Sequence, residues 1–243
     1  MHLDRFFDEI YVGFNVAMAG FLIATIGLGV YRRHRADSRA SRASTSGAAL
    51  LAVGTGIALG GGLIADAVLK ATPWFQQVRF GLYDIGFTGV VWGTIVVLRG
   101  CVPSPARARI VRALVILFAL SLVVGAIFVF IPATFVLNRY HEQVQLVVYW
   151  LPLLVASAGG CLALLCGAAI RGAVLIARMR LMAAFEGLLF LGLLRESEIL
   201  PDLGDPLVNL LVSFVPFVAG AVFLTCSVVR EGPHLGDYPV YPR

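Results

Sequence analysis

Residues 60–99 read GGGLIADAVLKATPWFQQVRFGLYDIGFTGVVWGTIVVLR, and this stretch decides what kind of protein the chain is. Two apolar runs flank a short polar turn with a proline at Pro73. The runs are continuous rather than alternating, which argues against membrane strands. Each approaches the length of a helix that crosses a hydrocarbon core of about 30 Å, for which about 20 residues suffice. Asp66 and Asp84 stand inside these runs, with Arg79 and Tyr83 between them. A charge in a membrane helix costs a few kcal/mol at its centre and less near its ends, so it has a partner or a task.

The rest of the chain repeats the pattern. Of 243 residues, 59% are hydrophobic and 14% charged, and the mean hydropathy is +0.90. Soluble domains carry roughly 25% charged residues. The composition therefore predicts an all-α polytopic membrane protein, a bundle of seven transmembrane helices near 10–31, 47–69, 80–98, 113–135, 143–170, 173–194 and 206–229. Residues 1–231 form one transmembrane domain, and residues 232–243, with three prolines, form a tail that cannot be helical. Met1-His2-Leu3-Asp4 lacks the basic start of a cleaved signal, so the first run is expected to be retained.

Basic residues give the orientation. Arg32, Arg33, Arg35, Arg39 and Arg42 follow the first run, Arg99, Arg107, Arg109 and Arg112 separate the third and fourth, and Arg171, Arg178 and Arg180 lie at the fifth turn. Arg230 and Arg243 complete that side, while the other side holds only Arg5, Lys70, Arg79, Arg139 and Arg195. The excess puts the N-terminus outside and the C-terminus in the cytoplasm. It also accounts for the net charge of +5 without nucleic acid as a partner. Many arginines beside a single lysine point to a prokaryotic cytoplasmic (inner) membrane. The lipid bilayer is the first partner, and a homo-oligomer or other membrane subunits are the protein partners such a chain admits.

Local composition adds expectations. Residues 35–47, rich in Ser, Ala and Arg, read as a flexible cytoplasmic link. Gly54, Ala58 and Gly62, and one step round Gly56 and Gly60, put small residues every fourth position, which lets helices approach closely. Such packing is expected inside the bundle. Pro132, Pro152 and Pro216 are expected to kink or end helical turns. A shift of 125 residues pairs Gly62 with Gly187, Lys70 with Arg195, Asp84 with Asn209 and Thr88 with Ser213, the pattern of a three-plus-one-plus-three repeat.

The few polar groups gather at one depth. Asn15, Asp66, Asp84, Gln145 and Asn209 occupy the outer thirds of five helices, with Tyr83 and Trp150 at similar depth. They outline an outward-facing vestibule or ligand pocket. Arg79 is the nearest counter-ion for Asp84 or Asp66. Glu186 is the deepest acid, and with Asp84 above it a titratable path across the bundle is expected, bridged by hydroxyls such as Thr88, Thr94, Ser213 or Thr55.

Other chemistries lose their residues. None of His2, His34, His141 and His234 is deep in a span, so histidine-ligated haem and a three-histidine zinc site have no ligands. A lysine-linked retinal needs a buried lysine, and Lys70 is at a helix end. No nucleophile–base pair, metal-ligand spacing or cofactor motif appears, so an enzyme is not expected. Cys101, Cys161, Cys166 and Cys226 form no CxxC pair and read as packed thiols. The leading expectation is a channel or carrier moving protons or another small cation through intramembrane carboxylates. The alternatives are a non-catalytic subunit of a larger membrane complex and a seven-helix receptor with an outward polar pocket.

Overall fold

The computed structural model describes residues 2–69, 75–130, 141–197 and 204–230. Among them the chain forms seven helices and no strand: α1 His2–Arg35, α2 Arg39–Leu69, α3 Phe75–Cys101, α4 Ser104–Phe130, α5 His141–Ala169, α6 Ile176–Glu196 and α7 Pro206–Val229. All but α6 are long and apolar enough to cross a membrane. The chain is a helical integral membrane protein. Its outer faces are apolar where a soluble protein would be charged: Ile116, Leu117, Leu120 and Val123 on α4 are all more than half exposed.

The link expected over residues 35–47 is mostly helix. Only Ala36, Asp37 and Ser38 separate α1 from α2. Ala and Arg favour helix, and the Ser38 hydroxyl accepts from the Ser41 backbone N–H at 3.0 Å, supplying an N-terminal cap. Thr45 then returns its hydroxyl proton to the carbonyls of Ser41 and Arg42, so this polar turn satisfies itself. Helix α3 likewise begins earlier than expected from hydropathy. Helices run through both Pro152 and Pro216. Pro132 and the tail 232–243 lie outside the described residues.

The most extensive contact joins α2 to α3, antiparallel and very close. Gly47, Gly54 and Gly61 recur every seventh residue on α2, as do Gly86, Gly93 and Gly100 on α3. A side-chain carbon on Gly86 would stand 2.5 Å from both the Ala58 nitrogen and the Gly54 carbonyl oxygen, and one on Gly93 2.8 Å from the Gly47 carbonyl oxygen. Backbone meets backbone there. The four-residue spacing read from sequence holds for Gly54, Ala58 and Gly62, which face inward. It fails for Gly56 and Gly60, which have nothing within 4 Å. A seven-residue period keeps one stripe against one partner, as in a supercoiled pair.

The other helices close a ring of which α2 and α3 are neighbouring members. Helix α1 packs on α2 and α7, α7 on α6, α6 on α5 and α5 on α3, with α4 outside against α3 and α5. At one end of α7 the Asp205 carboxylate accepts from the Leu207 and Val208 N–H groups and Pro206 takes the first helical position. At the other end two arginines cap the last carbonyls. Arg32 donates to the Val228 and Val229 oxygens at 2.9 and 2.6 Å, and Arg178, almost fully buried, donates to the Arg230 oxygen through Nε and Nη2. Cations at a helix C-terminus complete its orphan carbonyls and oppose its dipole. Between α1 and α7 the Thr25 and Thr225 hydroxyls meet at 2.9 Å.

Candidate functional site

Two features occupy the interior. The first is a cavity of about 120 Å³ to which every helix except α4 contributes. Its position follows from three inward-facing registers. Tyr83 on α3 points between α2 and α5, where Gly62 leaves room: a side-chain carbon there would come within 2.8 Å of the phenol oxygen. Arg79, one turn earlier, donates from Nε to that oxygen at 3.1 Å and lies over the ring at 5.5 Å. Trp150 on α5 meets Tyr83 with ring centroids 5.7 Å apart. Across the cavity, α1 and α7 supply a second aromatic group, Tyr11 and Phe14 against Phe214 at 5.0 and 6.0 Å. Asn15 lines the same space, its amide donating to the Tyr11 carbonyl at 2.9 Å, and Glu196 lines it from the end of α6.

The second feature is Glu186. It lies on the same face of α6 as Leu193, which lines the cavity, two helical turns or about 10 Å deeper. Its side chain is fully enclosed. The Thr94 hydroxyl on α3 donates to Oε1, and Oε2 has no hydrogen-bond partner. Gly160 on α5 makes the space: a side-chain carbon there would overlap Oε2 and stand 2.5 Å from Cδ. Thr94 lies three turns below Tyr83 on one face of α3, since eleven residues return to nearly the same direction. Between cavity and carboxyl the seam is closed by Phe87, Val90, Leu153 and Leu189, all essentially inaccessible.

The structure thus joins Asn15, Arg79, Tyr83 and Trp150 of the expected pocket. Asp84 and Asn209 are not among the lining residues. Asp84 is next to Tyr83 and therefore points about 100° away around α3. It has a buried Oδ1 without a hydrogen-bond partner, and Thr88 donates to its backbone carbonyl instead. Arg79 is not its counter-ion, because a five-residue separation puts the two on different faces, unlike three or four. The Asp84–Glu186 path through hydroxyls is not assembled: Thr94 serves Glu186, while Thr88 is exposed. Asn209 accepts from Arg195 Nη2 at 2.7 Å, an α6–α7 link. Asp66 and Gln145 belong to α2 and α5, with side chains outside the described residues.

Sequence reading missed Gly160 and Glu196. A glycine opposite an acid from another helix leaves no local signal, and Glu196 reads as a helix-end charge. Among the described residues no group of three His, Cys, Asp or Glu could hold a metal ion. No protein-family model matches the chain, and neither a curated protein nor a solved structure does.

Proposed function

We propose that the protein is a seven-helix carrier of protons or another small cation in a prokaryotic cytoplasmic membrane, with Glu186 as the group that takes the ion at mid-membrane. The enclosed Glu186 carboxyl, held by Thr94 and accommodated by Gly160, carries this reading. A buried charge without compensation costs several kcal/mol. Two states avoid that cost: the carboxylic acid, and the carboxylate with a bound cation. Exchange between them is the elementary step of a carrier.

Thr94 suits that exchange. Its hydroxyl has one proton and two acceptors in reach, the Val90 carbonyl at 3.2 Å and Glu186 Oε1. With Glu186 ionised, Thr94 donates to it. With Glu186 as the acid, the acid proton goes to Thr94, and Thr94 donates to Val90. Each proton move is matched by a hydroxyl rotation, and no donor is stranded in either state. The apolar seam residues Phe87, Val90, Leu153 and Leu189 keep the carboxyl closed off from the outer cavity, as a carrier in its occluded state requires.

Counting α6 as the seventh span rests on where its charges point. Arg178 and Glu186 depress its hydropathy, yet both side chains are buried in protein rather than turned to lipid. Ion-bearing helices are tolerated in membranes on that condition. Seven spans together with the excess of arginine at one end of the bundle support an N-terminus outside.

The experiment is proton flux into liposomes holding the purified protein and an internal pH dye. Glu186→Gln is expected to reduce flux to the level of empty liposomes while eluting and melting as a folded protein. Unchanged flux in Glu186→Gln refutes the carrier. Asp84→Asn asks whether the outer carboxyl feeds the same path, and unchanged flux there confines the path to the seam below Tyr83.

A further inference from the structure

The outer cavity is more elaborate than a passage to Glu186 requires. One wall is the Tyr83–Trp150 pair, with Tyr83 fixed by Arg79. The facing wall is Phe214 with Tyr11 edge-on and Phe14 stacked. Rings fixed in advance lose little freedom when a ligand arrives. The volume of about 120 Å³ is close to the roughly 150 Å³ that holds a benzene molecule. It is the size of one ring or one branched aliphatic group.

The charges are arranged as deliberately. Among the described residues the lining holds one cation, Arg79 on α3, and one anion, Glu196 on α6. Glu196 is exposed and Arg79 half-buried, whereas Met18, Leu193 and Phe217 are buried. Charge therefore sits at the mouth and apolar surface at the floor. A simple cation would face Arg79 and a simple anion would face Glu196, so a lining with one charge of each sign selects against both.

We propose that this cavity binds a small zwitterion with one aromatic or branched apolar side group, of the amino-acid class. The side group lies between the aromatic walls, the carboxylate on the Arg79 guanidinium and the ammonium on the Glu196 carboxylate. Charge-assisted bonds of this kind discriminate more strongly than neutral ones. The proposal does not depend on ion movement through Glu186, and holds whichever side of the membrane the mouth faces.

The test is thermal unfolding of the purified protein in detergent, titrated with L-phenylalanine and L-leucine, and with phenethylamine and 3-phenylpropionate as analogues that each lack one charge. At least one of the two amino acids is expected to raise the midpoint saturably, and the one-charge analogues to bind about tenfold or more weaker. Glu196→Gln, at an exposed position, is expected to erase the advantage of phenylalanine over 3-phenylpropionate, and Arg79→Gln its advantage over phenethylamine. No shift with either amino acid overturns the proposal. So does equal affinity for phenylalanine and its one-charge analogues, or an amino-acid effect that survives both substitutions.

Discussion

Gly160→Ala adds one methyl group to the middle of α5, and in most helices it would stabilise, since glycine costs about 1 kcal/mol relative to alanine. Here the methyl overlaps Oε2 of Glu186 and lies 2.5 Å from Cδ. Ordinary contact needs about 3.5 Å or more between such atoms, so Cδ must withdraw by about 1 Å. The carboxyl has nowhere to go without leaving Thr94, because its surroundings are closed. Overpacking of this kind costs about 1–3 kcal/mol, and a lost hydrogen bond about 1 more. Set against the helix-propensity gain, Gly160→Ala is expected to destabilise by about 2 kcal/mol. In a Glu186→Ala background the obstacle is gone, and the same methyl should be neutral or stabilising by about 1 kcal/mol. The coupling is therefore about 2–3 kcal/mol, measured as a double-mutant cycle on unfolding of the micellar protein by an added denaturing detergent. Additivity within about 0.5 kcal/mol would refute the contact and the reasoning built on it.

Three further outcomes are expected. Gly86→Val should cost about 2–3 kcal/mol or prevent folding, because the obstructing atoms are α2 backbone, whereas Gly56→Ala and Gly60→Ala, in open space, should stay within about 0.5 kcal/mol of the parent or exceed it. Arg178→Gln and Arg32→Gln should each lose about 1–3 kcal/mol, with faster amide hydrogen exchange confined to the last turn of α7. In a background whose native cysteines are alanine, a membrane-impermeant maleimide should label Leu207→Cys on intact cells but Asp37→Cys only after permeabilisation; the reverse result would invert the proposed orientation.

Helical class and the approximate location of each run were legible because membrane helices announce themselves by hydropathy alone. Their ends were not. The first turns of α2 are polar, so no apolar periodicity marks them, and what holds them is the Ser38 cap, the helix preference of Ala and Arg, and tertiary bonds from Cys101 to the Ala40 carbonyl and from Arg178 to the Ser41 hydroxyl. The α2–α3 stripe was half legible: the four-residue spacing of small residues shows on α2 alone, whereas the matching seven-residue period on α3 identifies the partner. Asn15, Arg79, Tyr83 and Trp150 could be grouped by depth, which is set by position along a span. Depth does not give direction, and direction is what separates Tyr83 from its neighbour Asp84. The Glu186–Thr94–Gly160 arrangement draws on three helices, and nothing local to any of them encodes the other two.

The capping of α7 by Arg32 and Arg178 has a consequence for biosynthesis. A membrane chain is delivered N-terminus first, so α1 and α6 are made before the carbonyls that accept from their arginines. Val228, Val229 and Arg230 emerge after the other six described helices. Until then α1 has only α2 as a neighbour in the ring, and the Thr25–Thr225 contact has one half. The bundle therefore closes only with α7, by a clasp whose two ends are the first and last of the described helices. A chain interrupted within α7 would leave an open ring for membrane quality control to recognise, however well α2 and α3 had already paired.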